Sequence, residues 1–122
     1  MNIKKWFITH GPGSVGDSAS TIMKVYKNLK TVYPSLSKKD LYKLTLKTRR
    51  DHVKKMRDEF NLYAQDNFIE DDVNMYGKDL SALIVREIKL EYPILEEIET
   101  NDPKLYSEAI LIIRKVVSTN AN

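Results

Sequence analysis

Residues 37–65 read SKKDLYKLTLKTRRDHVKKMRDEFNLYAQ, with no glycine or proline anywhere in the stretch. Ser37 and Asp40 stand at the spacing of a capping box, with Asp in its fourth position, so a helix opens here. Tyr42, Leu46, Val53, Met56, Phe60 and Tyr63 then recur at intervals of three and four, and only Arg49 falls on that seam. A helix of about 25 residues, about 38 Å long at 1.5 Å per residue, fits the pattern. A shorter pair kinked near Asp51 is the alternative.

The flanking sequence repeats the helical period. Upstream, Ile22, Val25, Tyr26, Leu29, Val32 and Tyr33 form one apolar stripe. Pro34 stops it, because the residue before a proline is pushed out of the helical region. Downstream, Ile69, Val73, Tyr76, Leu80, Leu83 or Ile84, and Ile88 predict a third helix that ends at Tyr92-Pro93, with Gly77 as a potential break. Ile94 to Glu99 has room for one short helical turn. Asp102-Pro103 combines an N-cap acid with proline at the first helical position. The last helix carries Leu105, Ala109, Ile110, Ile112, Ile113, Val116 and Val117 around most of its circumference, the mark of a central helix.

No segment alternates with period two. The expectation is therefore an all-α single-domain bundle of four to five helices with two long central ones, joined as an antiparallel hairpin across Asp66-Asn67. Residues 1–17 read as an N-terminal arm and glycine loop, 18–65 as a basic half, 66–118 as an acidic half and 119–122 as a frayed tail. The halves also resemble each other. Leu29 to Pro34 matches Ile88 to Pro93, and Leu41, Tyr42, Leu46, Arg50 and Val53 align with Leu105, Tyr106, Ile110, Arg114 and Val117. Duplication of a helical hairpin is one explanation, and chance recurrence of Tyr-Pro stops is the other.

Composition bounds the function. At 122 residues and 42% apolar content, one domain with a real core is expected. With no cysteine, disulfides, thiolate catalysis and Cys-ligated zinc are excluded. The longest apolar run, Ala109 to Ile113, is far below the ~20 residues of a membrane span, so a cytoplasmic protein without membrane contact is the default. The net charge of +3 hides a split. Residues 1–57 hold fourteen Lys and Arg against three acids, and residues 58–122 hold six against fourteen. Such asymmetry points either to an acidic partner or to two halves that neutralise each other.

Three site readings follow. Residues 11–18, GPGSVGDS, fit the phosphate-loop pattern except that Asp17 replaces the lysine, which works against β- and γ-phosphate. An Asp17 or Ser18 helix cap is the structural reading there. Binding of a small anion by His10, Gly11, Gly13, Ser14, Gly16 and Ser18 is the functional one. The second site is the basic run Lys38, Lys39, Lys43, Lys47, Arg49, Arg50, Lys54, Lys55 and Arg57, which could lie along nucleic-acid phosphates if its charges project outward together. No helix-turn-helix spacing accompanies it. Glu70-Asp71-Asp72 lacks the spacing of a calcium loop and reads as the acidic first turn of a helix. No catalytic residue, metal site or cofactor is expected. The leading expectation is a non-enzymatic helical binding module that meets a protein partner or a second copy. Seven tyrosines and Trp6 supply candidate anchors.

Overall fold

The computed structural model describes residues 3–9, 11, 13–59 and 79–120. They form six helices: α1 (Ile3–Ile8), α2 (Val15–Val32), α3 (Lys38–Glu59), α4 (Leu80–Glu91), α5 (Ile94–Asn101) and α6 (Pro103–Asn120). Among the described residues there is no strand, and the fold is all-α. The count exceeds four to five because two short segments are full helices. Trp6-Phe7-Ile8 belongs to α1 rather than to an extended arm, and Ile94 opens an eight-residue helix rather than one turn. The Asp66-Asn67 hairpin, Gly77 and the 70–72 acids lie outside the described residues, as do His10 and Pro12.

Helix ends follow side-chain chemistry. Ser37 Oγ accepts from the Asp40 N–H at 3.1 Å, and Asp102 Oδ1 accepts from the Leu105 N–H at 3.2 Å, so both expected caps form. The start of α4 is set by Asp79, whose Oδ1 accepts from the Ser81 N–H at 2.9 Å. Both Tyr–Pro stops close alike. The Tyr33 N–H donates to the Leu29 carbonyl and the Tyr92 N–H to the Ile88 carbonyl, each at 2.8 Å. Beyond them the halves diverge. The second inserts α5 before its long helix, and Arg50 is buried where its counterpart Arg114 is exposed. At the C-terminus α6 continues through Asn120, whose Nδ2 donates to the Val116 carbonyl at 2.7 Å.

Among the described residues the central pair is α2 and α6. α2 packs on α1, α3, α4 and α6, and α6 packs on α1, α2, α4 and α5. Among the described helices α3 is the longest, and it flanks that pair, resting on α2 and α4. The reason is composition. Among the described side chains of α3, those of Leu41, Tyr42, Thr45, Leu46 and Arg50 are buried, and by Met56 its seam is half exposed. Val15, Ala19, Ile22 and Met23 of α2 meet Leu83, Ile84 and Ile88 of α4, Leu95 and Ile98 of α5, and Ala109, Ile113 and Val117 of α6 in one core. Among the described residues nineteen apolar side chains are buried in it. α1 is pinned on top: Phe7 meets the Tyr92 ring edge-on at 5.2 Å between centroids.

Candidate functional site

The glycine loop is built to start α2. Gly13 has φ +79°, a left-handed conformation, and a Cβ placed there would sit 3.8 Å from Trp6 Cη2. Ser14, fully buried, is the N-cap: its Oγ accepts from the Asp17 N–H at 3.2 Å, and its carbonyl accepts from the Ser18 N–H at 3.0 Å. The cap thus falls on Ser14, three residues before Asp17 and four before Ser18, the two residues expected to cap. Asp17 reaches back, and its Oδ2 accepts from the Gly13 N–H at 3.2 Å. The residue standing where a phosphate loop carries lysine therefore places the chain's own carboxylate against the loop. Gly16 and Ser18 are buried inside α2, and Ser18 Oγ donates to Tyr92 Oη at 3.3 Å. Of the six loop residues singled out from the sequence, the structure gathers Gly11, Gly13 and Ser14. Their polar groups serve the helix start: the Ser14 N–H donates to the Gly11 carbonyl.

The basic run divides. Arg49 and Arg50 turn inward across the α3–α4 interface. Arg50 Nε donates to Glu87 Oε2 at 2.8 Å, and its Nη2 donates to Glu87 Oε1, a bidentate pair whose side chains are 7% and 10% exposed. Arg49 Nη2 donates to both carboxylate oxygens of Glu91, at 3.1 and 3.2 Å. Glu87 and Glu91 are one turn apart, so a single edge of α4 receives both guanidinium groups. Lys47 pairs with Asp51 at 3.1 Å on the solvent side, a contact of little energetic weight. Lys38, Lys47 and Lys55 are exposed, and Lys39, Lys43 and Lys54 are half-buried. The side chain of Arg57 lies outside the described residues. Arg49 and Arg50, two of the run's three arginines and strong phosphate ligands by type, are thus committed within the fold. Lys4 adds a further link between the halves, reaching Glu97 at 3.6 Å.

Sequence reasoning missed three features. The first is this pair of carboxylates; the clue was Arg49 on the apolar seam, facing a neighbour rather than water. The second is the α2–α3 turn, where Val32, Tyr33 and Leu36 are 58%, 49% and 37% exposed. The third is the outer face of α6, where Leu111 is 64% exposed among polar residues. Beside it lies an open cleft of about 570 Å³, lined by Asp79, Ser81, Leu111, Arg114, Lys115 and Ser118.

No known family, no curated protein and no solved structure matches this chain. Among the described residues no three His, Cys, Asp or Glu side chains are grouped to hold a metal ion, and no helix is long and apolar enough to cross a membrane.

One polar cluster titrates unusually. Lys89 Nζ donates to Glu99 Oε2 at 3.0 Å and lies 5.0 Å from the centroid of the Tyr106 ring. Hydrogen bonding from Lys89, then from Tyr106, holds the Glu99 carboxyl below the ordinary glutamate value. For Lys89, burial pulls the ammonium down, but hydrogen bonds to Tyr106 and Glu99 outweigh it and leave it raised. A depressed carboxyl stabilises the fold above its unfolded-state pKa, and that contribution is lost as pH falls through the folded value. A carboxyl-carbon NMR titration is expected to find Glu99 ionised into more acidic solution than an ordinary glutamate. In Lys89→Met its midpoint should return toward the ordinary range; an unmoved midpoint would show that Lys89 is not the cause.

Proposed function

We propose that this protein is a small helical binding module that acts through protein–protein contact, with the α2–α3 turn as its contact surface. The observation that supports this is the exposure of Val32, Tyr33 and Leu36 around Pro34. These residues continue the apolar stripe of α2 beyond the end of the core, where burial inside the chain no longer accounts for them. Contiguous exposed apolar side chains rimmed by polar ones mark contact sites, and tyrosine is favoured as an anchor in them. Lys30 and Lys38 are exposed on either side of the turn. The partner surface this fits is an apolar pocket edged with carboxylates, and charge complementarity there would set orientation and on-rate. The nucleic-acid reading keeps Lys38, Lys47 and Lys55 as outward charges but has lost Arg49 and Arg50 to the α3–α4 interface.

A photo-crosslinking amino acid at position 33, compared with one at exposed Asn28, tests the surface in cells. A discrete protein adduct is expected at 33 and not at 28. With that partner purified, the double variant Tyr33→Ser, Leu36→Ser should bind at least about tenfold more weakly, since anchor truncations commonly cost more than 1.4 kcal/mol. Equal crosslinking at both positions, or adducts to nucleic acid alone, would overturn the reading.

A further inference from the structure

We infer that the outer face of α6 binds a second copy of the same chain, antiparallel, about a two-fold axis at Leu111. This contact goes beyond the α2–α3 turn and uses different residues. The α6 positions Lys104, Ser107, Glu108, Leu111, Arg114, Lys115 and Ser118 follow one another at helical spacing, and all are exposed. Among the described residues Leu111 is the most exposed large apolar side chain, at 64%. It stands alone in this stripe, which is otherwise polar.

The order of charges along the stripe is self-complementary. Glu108 lies one helical turn before Leu111 and Arg114 one turn after it. Two such helices laid antiparallel set leucine against leucine and each Glu108 against the other copy's Arg114. One step further out, Ser107 meets Lys115, and two turns out Lys104 meets Ser118. Ser118 shares its cleft with Asp79, so the incoming Lys104 arrives beside a carboxylate. The cleft itself, open along Leu111, Arg114 and Lys115, gives the second helix room to seat. Among the described residues none of Lys104, Glu108, Arg114 and Lys115 is ion-paired within its own chain. A two-fold contact requires a surface that is its own complement, and the order of charges along this stripe meets that condition. A single helix pair covers less than the ~800 Å² per partner of a standard interface, so the dimer is weak and salt-sensitive.

Sedimentation equilibrium on the full chain tests this at low and high salt. Self-association is expected at low salt and should weaken as salt rises. Leu111→Lys puts like charges on the axis, while Glu108→Arg and Arg114→Glu each set like charges face to face. Each should raise the dimer Kd at least about tenfold, a change of 1.4 kcal/mol. Because all three positions are exposed, thermal unfolding by circular dichroism should stay at the wild-type midpoint. The deciding sample is an equimolar mixture of Glu108→Arg and Arg114→Glu chains, in which every opposed pair is again complementary; association should return. A wild-type chain that stays monomeric at millimolar concentration in low salt overturns the inference. So does a dimer indifferent to Leu111→Lys, or single variants that weaken association without rescue on mixing. None of these results bears on the α2–α3 turn, whose test reads a different surface.

Discussion

Replacing Arg50 with methionine is expected to destabilise the protein by about 3–5 kcal/mol, the cost of stranding one member of a buried ion pair. Methionine keeps most of the side-chain length but none of the charge, so Glu87, 10% exposed, would be left desolvated on α4 without its bidentate donor. The reciprocal Glu87→Met strands the guanidinium instead and should cost a similar amount. The double variant Arg50→Met, Glu87→Met removes both charges and places two apolar chains in the same space. It should recover most of the loss, because a well-packed apolar pair replaces a buried salt bridge at little or no net cost. Urea unfolding of the four proteins closes the double-mutant cycle. Additive losses in the double variant would show that the two side chains act independently and that the α3–α4 contact rests on something else.

That cycle also weighs the charge asymmetry of the chain. A net-positive first half and a net-negative second half are compatible with an external acidic partner or with internal neutralisation. The pairs Arg49–Glu91, Arg50–Glu87 and Lys4–Glu97 carry part of the asymmetry into contacts between the halves. What stays outside is lysine-rich: Lys30 and Lys38 beside the α2–α3 turn, Lys47 and Lys55 along α3.

Elements whose signals are local were legible in the sequence. Tyr33-Pro34 and Tyr92-Pro93 stop helices because proline acts on its immediate neighbour. Ser37 and Asp102 cap helices because the backbone N–H groups that donate to them lie three residues away. The six residues of α1 are too few to display a helical period, so Trp6-Phe7-Ile8 gave no direction. Ser14 and Asp79 were overlooked as caps because each has a competitor: Asp17 beside the first, and an apolar pattern running through the second. The surfaces were least legible. Whether Val32 and Tyr33 extend a buried stripe or emerge from it depends on how far helices distant in sequence pack along α2. Nothing in the local sequence marks Arg50 as buried and Lys47 as exposed; the arrival of Glu87 from a distant helix separates them.

Two residues apart on the same helix, Ile113 and Leu111 should respond in opposite ways to truncation. Ile113 is fully buried in the core that α6 shares with α2, α4 and α5. Ile113→Ala should therefore cost about 2–5 kcal/mol, the lost transfer energy plus the cavity left in a region pinned by neighbours on several sides. Leu111, offset by 200° around the helix at 100° per residue, points away from that core. Leu111→Ala should change monomer stability by less than about 0.5 kcal/mol. Urea unfolding in high salt, where self-association is suppressed, measures both on the monomer. If Leu111→Ala matched Ile113→Ala there, Leu111 would belong to the monomer's core and the two-fold contact would lose its centre. If Ile113→Ala were tolerated instead, α6 would not be the helix around which the bundle is organised. The difference between the two values is thus a direct measure of which side of α6 the chain keeps for its own folding and which side it leaves for a second molecule.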